Sequence, residues 1–510
     1  MSAIVIARNA IYNVVSFGIT LVVTFLLVPV MLLHLGPTGF GAWAIVRVFV
    51  SYASLADLGL SSTVTKYVAE FHAKGDDKGI VRVIHSAFIL YALIAIALLA
   101  LLWLLDDFVI HTFFSTSGSF ANDIRFILFG SMLIFSGNLI FSIFSSSLAG
   151  LQRMDTTNGI LSIYWLINGA LMYIALVFGL GLRGLVYANA AASSIAILLN
   201  AFFFFRYFRH LPFFSSKTGL ADLRQSLRYS KDIFVIAVSN SVHLHFDKLL
   251  LSSFLSLSTV SSYEVASRVI QQMRQVPILM LNPILPAASE LQAHQRSESI
   301  TELYYFSLKY IVAFCVPFFA CVGVFAHPLL SIWLGEGNEL MSRTLQILII
   351  PNFINLMTGP AYFISLGIGK AKYGMYSSLV GLIANMVLSF ILLRSYGYFG
   401  AIAGTLIALT LEGVFFLFLI HRTLDIQWGR FLHLFVQPLG AIALGLVVAI
   451  GVGYFVESLI LKTLVTVCLA IIVYLLALFR PRYFDEKDQA FFKEFRGKVA
   501  EKFFTLGERT

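Results

Sequence analysis

The chain has 510 residues, 59% of them hydrophobic and only 12% charged. A water-soluble domain carries roughly 45–50% apolar and about 25% charged side chains, so this composition excludes a soluble enzyme or regulator and points to a polytopic membrane protein. A formal charge of +9 would suit nucleic acid, but the positions of the basic residues, given below, assign it to membrane topology instead.

Apolar runs long enough to span a bilayer occur at 11–33, 42–70, 83–105, 124–149, 158–180 and 184–205. After a polar gap they resume at 232–255, 262–287, 303–325, 341–366, 374–394, 400–420, 433–456 and 463–479. The predicted fold is therefore all-α, with about fourteen transmembrane helices and both termini on one side. The start, MSAIVIARNA, runs into an apolar segment without a small-residue cleavage site and reads as a retained first helix. Placing the termini in the cytoplasm assigns 24 Lys/Arg to cytoplasmic segments and five to the opposite side. That asymmetry orients the chain and leaves no basic surface for nucleic acid. Cys315, Cys321 and Cys468 lie in apolar stretches and form neither a disulfide framework nor a metal site.

The first twelve helices read as two copies of six. At an offset of 217, residues 147–169 overlie 364–386, so that Gly150 meets Gly367, Arg153 meets Lys370 and Asn168 meets Asn385. At an offset of 220, Leu35 meets Leu255 and Trp43 meets Tyr263. Six helices per copy preserve orientation, giving a parallel repeat. The expected organisation is an N-lobe at 1–205, a basic cytoplasmic linker at 206–231 and a C-lobe at 232–425. Two extra helices at 426–480 and an amphipathic cytoplasmic tail at 481–510 complete it.

Several spans carry polar faces. Asn9, Asn13, Ser16, Thr20 and Thr24 share one side of the first helix, and Arg47, Ser51, Ser54, Ser61 and Thr65 one side of the second, with Asp57 beside them. The seventh presents Asn240, His243 and Asp247; Lys248 either snorkels or pairs with Asp247, and His245 points away to pack. The eighth is the most polar. Glu264, Arg268, Gln271, Gln275 and Asn282 follow at spacings of four, three, four and seven, with Arg274 and Gln272 flanking the row. Hydroxyl stripes have an ordinary explanation in helix packing. The arginines do not, because an ionised Arg at bilayer depth costs roughly 2.5–3.5 kcal/mol and cannot lose its proton. Arg47, Arg268 and Arg274 therefore point to a water-filled cavity that receives an anion. Pro277, Pro283, Pro286, Pro317, Pro351 and Pro360 mark expected bends or breaks. No Walker A sequence occurs, and the acidic pairs Asp76-Asp77 and Asp106-Asp107 fall in loops, so neither an ATP-driven pump nor an enzyme is read from this chain.

The segments LGPTGFGAWAI (35–45), DLGLSSTVTKYVAEF (57–71), AGLQR (149–153), SSYEVASRV (261–269) and NPILPAASEL (282–291) resemble the Wzx-type polysaccharide flippases. These belong to the multidrug/oligosaccharidyl-lipid/polysaccharide exporter superfamily, which also holds the MATE antiporters and the lipid II flippase. The resemblance runs from about residue 5 to 480. It implies two lobes in a V that pass an undecaprenyl-diphosphate-linked oligosaccharide across the inner membrane by alternating access, for O-antigen, capsule or exopolysaccharide synthesis. Arg47, Arg268 and Arg274 are then expected on the diphosphate, with Gln271, Gln275, Asn240 and Asn13 on sugar hydroxyls. The expected partners are the polyprenyl-linked glycan, the bilayer and a polysaccharide polymerase complex. No cofactor is expected; Glu264, Asp247 and Asp57 are the candidates for coupling to a proton or Na⁺ gradient. Two rivals stand beside this reading. A MATE-like cation or drug antiporter would line its cavity with acids, and a membrane polymerase or ligase would present a sizeable outward loop.

Overall fold

A computed structural model describes residues 3–57, 59–114, 119–209, 231–335 and 338–479, together with 483, 484 and 488. The side chains of 3–11, 119, 231–237, 240 and 297 are outside that description, as are most of the expected linker and tail. Every regular element among the described residues is helical.

In chain order these are α1 (Ala3–Ser54), a 3₁₀ turn (Leu55–Asp57), α2 (Leu60–Lys74), α3 (Asp77–Phe113), α4 (Ser119–Gly150), α5 (Met154–Val177) and α6 (Gly181–Tyr207). There follow α7 (Lys231–Phe254), α8 (Leu257–Leu281), α9 (Ile284–Ala293), α10 (Ser297–Val324), α11 (Ala326–Leu334), α12 (Glu339–Met357) and α13 (Gly359–Gly367). Last come α14 (Ala371–Leu424), α15 (Trp428–Gly453) and α16 (Leu459–Leu478). Ten helical stretches are long and apolar enough to cross a membrane. Two of them contain a sharp kink, at Gly36 in α1 and at Gly397 in α14, so each is two spans joined by one residue of positive φ. With the more polar α7 and α8 added, the architecture is consistent with about fourteen crossings.

The helix breaks fall at glycines and beside some of the prolines, Pro37 directly after Gly36 among them. Gly36 (φ 66°) and Gly397 (φ 62°) take backbone conformations that a Cβ would strain, which turns the chain with no loop at all. Pro277, Pro317 and Pro351 stay inside continuous helices, whereas the α8–α9 break falls at Asn282–Pro283 and the α12–α13 break at Thr358, two residues before Pro360. The second span is interrupted at 55–59, where Gly59 (φ 76°) precedes α2. Side chains cap the termini that face water: Asp76 accepts from Gly79 N at 2.9 Å, and Asn338 accepts from Leu340 N at 2.9 Å.

The described chain forms two compact units. One runs to Gln272 and takes in Gly374–Glu412; the other comprises Met273–Tyr373 and the described residues from Gly413 onward. Within the first, Leu60, Val64 and Val68 of α2 pack against Ile80, Ile84 and Tyr91 of α3 and Phe204 of α6. Lipid is as apolar as leucine, so helix contacts in a bilayer depend on close approach at small residues. Gly41 shows this: a Cβ there would lie 1.8 Å from the Leu257 carbonyl oxygen.

The repeat is visible as geometry. In the first unit a Cβ on Gly150 would meet the carbonyl of Thr65 and the side chain of Val68; in the second a Cβ on Gly367 would meet the carbonyl of Leu285 and the side chain of Ala288. Gly367 lies 217 beyond Gly150, while Leu285 and Ala288 lie 220 beyond Thr65 and Val68, the same two offsets that the sequence alignment contains. The turns that follow match as well. Arg153 N donates to Leu148 O and Lys370 N to Ser365 O, across positive-φ residues Gln152 and Gly369.

Candidate functional site

The charged row of α8 meets α7 in a buried ion cluster of the first unit. Glu264 Oε2 lies 2.6 Å from Lys248 Nζ, and Glu264 Oε1 lies 2.6 Å from Arg268 Nε. The Lys248 and Glu264 side chains are only 4% and 8% exposed, so this carboxylate and ammonium are effectively withdrawn from solvent. Lys248 thus neither snorkels nor pairs with Asp247, the two expectations drawn from its place beside that residue. Its partner is Glu264 on the neighbouring helix, which neutralises the buried ammonium.

Arg268 differs from Lys248 in facing outward. Its side chain is 25% exposed and lies over the Phe40 ring, 5.6 Å from the centroid. Only Nε serves Glu264, so the two terminal NH₂ groups of the guanidinium have no partner among the described residues. Arg47, in the part of α1 that follows Gly36, is exposed and makes no hydrogen bond or ion pair among the described residues. It stands within electrostatic range of Arg268 and Glu264. One carboxylate against Lys248, Arg268 and Arg47 leaves two positive charges in excess. Two guanidinium forks with unused donors are chemically suited to a polyvalent oxyanion. His245 closes the cluster on one side: its Nε2 is 2.8 Å from Ser51 Oγ and its ring meets Tyr52 edge-on.

Asp247 occupies a different environment in the same unit. It is completely buried and has no cation within ion-pair distance among the described residues. Its Oδ2 accepts from the Tyr263 hydroxyl at 2.7 Å and from the Thr405 hydroxyl, while Oδ1 has no hydrogen-bond partner among the described residues. Asn385 donates to Thr405 Oγ1 at 3.0 Å and to Ser389 Oγ at 3.2 Å, its own Oδ1 having no partner among the described residues, and Ser389 donates to the Ala401 carbonyl at 3.2 Å. An ionised carboxylate in such a place is costly unless it takes up a proton or a cation. The groups around it are hydroxyls and an amide. Nearby on α7, His243 Nε2 is 3.1 Å from Glu412 Oε2, and Ser378 donates to Glu412 Oε1 at 3.3 Å.

The other predicted residues are placed as follows. Asn13 accepts from Asn158 Nδ2 at 2.7 Å on an exposed surface of α1 and α5. Asp57, in the 3₁₀ turn, accepts from Ser61 Oγ at 2.9 Å and from the Tyr91 hydroxyl. Gln271 is half-buried in the first unit. Arg274 and Gln275 belong to the second unit, where Gln275 is exposed and Arg274 donates to Asn352 Oδ1 and Asn355 Oδ1, each at 2.7 Å. The Asn240 side chain lies outside the described residues. Sequence reading missed Lys248 as the partner of Glu264, the Asn385–Ser389–Thr405 group around Asp247, and the Asn352/Asn355 pair. The asparagines were recoverable: Asn-x-x-Asn inside an apolar span sets two amides on one helical face.

Known proteins agree with this architecture. The polysaccharide biosynthesis protein family matches residues 6–292, and the MatE family matches 233–391. The chain is 20% identical over 409 residues to a putative O-antigen transporter of Shigella flexneri, a match covering 78% of this chain and 93% of that one. The fold resembles the lipid II flippase MurJ in an inward closed conformation, with a TM-score of 0.70 at 16% identity over 92% of this chain and 97% of that one. It also resembles an inward-facing MATE-family multidrug transporter, with a TM-score of 0.68 at 14% identity over 81% and 98% of the two chains. With over half its length matched, the chain belongs to the polysaccharide biosynthesis protein family.

Proposed function

We propose that the protein flips a polyprenyl-diphosphate-linked oligosaccharide, with undecaprenol as the lipid, from the cytoplasmic to the outer leaflet of the inner membrane by alternating access. Both termini are then cytoplasmic, and the product supplies a surface polysaccharide polymerase. The observation that carries this reading is the pair Arg47 and Arg268, whose guanidinium donors are largely unused and which stand beside a carboxylate already held by Lys248. A diphosphate would meet both forks, while the glycan meets amides such as Gln271 and Asn13 that do not demand one sugar. A cation antiporter would need the opposite excess of charge at this position.

The same geometry bears on coupling. An arriving anion that draws Arg268 away leaves Lys248 on Glu264, so that carboxylate does not become an unpaired charge. Asp247 has no such cation, and its Oδ1 together with Asn385 Oδ1 and Thr405 Oγ1 offers oxygens for Na⁺, or Asp247 itself for a proton. We therefore assign coupling to Asp247 ahead of Glu264 and Asp57.

The test is glycan export in a deletion strain carrying Arg47→Ala, Arg268→Ala or both, with the lipid-linked glycan that accumulates identified by mass spectrometry. Hydrogen bonds to a charged group contribute about 1.5–3 kcal/mol, so each single variant should lose roughly tenfold or more in export rate at normal membrane levels. Full export by the double variant would overturn the assignment.

A further inference from the structure

The second unit holds a cavity of about 420 Å³ that lies apart from the arginine cluster and is used by nothing described so far. It opens between the first turns of α10 and of α15, and its inner wall is the short stretch of chain after α16. The volume falls within the range of roughly 300–1,000 Å³ typical of ligand sites.

The wall is neutralised and fixed. Asp488 accepts from Lys309 Nζ and, at 2.8 Å, from the Tyr310 hydroxyl; the Tyr483 hydroxyl donates to the Lys309 carbonyl at 2.9 Å. The Lys309 ammonium also faces the rings of Tyr483 and Phe484. These charges are therefore committed to tying the chain after α16 onto α10. The rim is different. Glu302, on α10, and Arg430, on α15, are both exposed, both line the cavity, and neither forms an ion pair among the described residues. The Arg430 guanidinium lies over the Tyr305 ring, 4.0 Å from its centroid, which anchors the group without using its N–H donors. A carboxylate and a guanidinium that share a cavity without closing on one another make a receptor for a ligand that carries both charges.

From this geometry we infer that the cavity binds the zwitterionic headgroup of a membrane phospholipid, its phosphate on Arg430 and its ammonium on Glu302. The location supports this class of ligand. Both helices enter the apolar layer here, and Trp428, 41% exposed at the start of α15, is the kind of side chain that sits at headgroup level. Phe306, exposed in the lining of the cavity, offers a ring to the glycerol end of a lipid. A purely anionic lipid gains Arg430 but meets Glu302 with nothing to offer it, so the site should discriminate between headgroups.

The experiment is native mass spectrometry of the full-length protein in detergent, with phosphatidylethanolamine or phosphatidylglycerol of the same acyl chains added in turn. Wild type should retain phosphatidylethanolamine at least fivefold more than phosphatidylglycerol. Arg430→Gln and Glu302→Gln should each lose most of that preference while unfolding at the wild-type temperature. The charge-exchanged double variant Glu302→Arg/Arg430→Glu keeps both charges in the cavity and should regain phosphatidylethanolamine, a recovery that a merely structural role for either residue does not give. Equal retention of the two lipids by wild type, or unchanged selectivity in both single variants, would overturn the inference, as would no recovery in a folded exchange variant.

Discussion

Replacing Glu264 by Gln tests the ion cluster most directly. The substitution keeps the shape and one acceptor oxygen but removes the charge that holds Lys248 and Arg268, each at 2.6 Å. Arg268, a quarter exposed, can turn toward water, whereas Lys248 is 4% exposed and cannot. Stranding one partner of a buried pair costs about 3–5 kcal/mol; because the replacement amide still accepts one hydrogen bond, about 3 kcal/mol is expected here. Lys248→Met should cost less, since Glu264 keeps Arg268. In the Glu264→Gln/Lys248→Met double variant the stranded ammonium is gone, and the loss should shrink to about 1 kcal/mol; with about 1 kcal/mol for Lys248→Met alone, the coupling is about 3 kcal/mol. Reversible unfolding of the purified protein in mixed micelles, followed by circular dichroism, would measure all four corners. Losses that simply add, or a Glu264→Gln variant within 1 kcal/mol of wild type, would refute a buried pair that owes its stability to mutual neutralisation. The double variant retains Arg47 and Arg268 and should still export glycan.

Four further outcomes are expected. Asp247→Asn should abolish the response of transport in proteoliposomes to an imposed Na⁺ or proton gradient, while Glu264→Gln retains it; the reverse pattern would move coupling to Glu264. Gly41→Val should destabilise the first unit by at least 1–3 kcal/mol, the usual range for overpacking, because the Leu257 backbone cannot retreat as a side chain would; a wild-type unfolding curve would refute the contact. Removing residues 485–510 takes Asp488 from Lys309, which is 13% exposed, so a loss of about 3 kcal/mol is expected with export preserved. By contrast, Arg183→Gln should change stability by less than about 1 kcal/mol, because its pair with Asp123 is surface-exposed on both sides.

The spans were legible because a bilayer demands apolar runs of a given length, and that demand is written locally. The Glu264–Arg268 pair was legible for the same reason, since residues four apart on a helix must be neighbours. What escaped was tertiary. Lys248 lies beside Asp247 in the chain, yet its carboxylate comes from α8, and no local pattern chooses between them. Proline was the visible sign of a break, and Pro37 does follow the kink at Gly36, but the kink at Gly397 has no proline beside it and is marked only by the lack of a Cβ. The oxygens around Asp247 come from three spans, and only the four-residue spacing of Asn385 and Ser389 hinted at a shared face.

The matched glycine contacts carry a record of descent. Thr65 and Val68 on one side, and Gly150 on the other, are separated by enough chain to have drifted independently, and they have: the interval from Val68 to Gly150 is three residues longer than that from Ala288 to Gly367. The contact itself did not move. A half-length ancestor that already brought these two helices together would hand the same junction to both descendants when its gene was doubled. The three-residue difference lies in the connecting chain, where length is cheap, and not at the glycine, where an added carbon has nowhere to go.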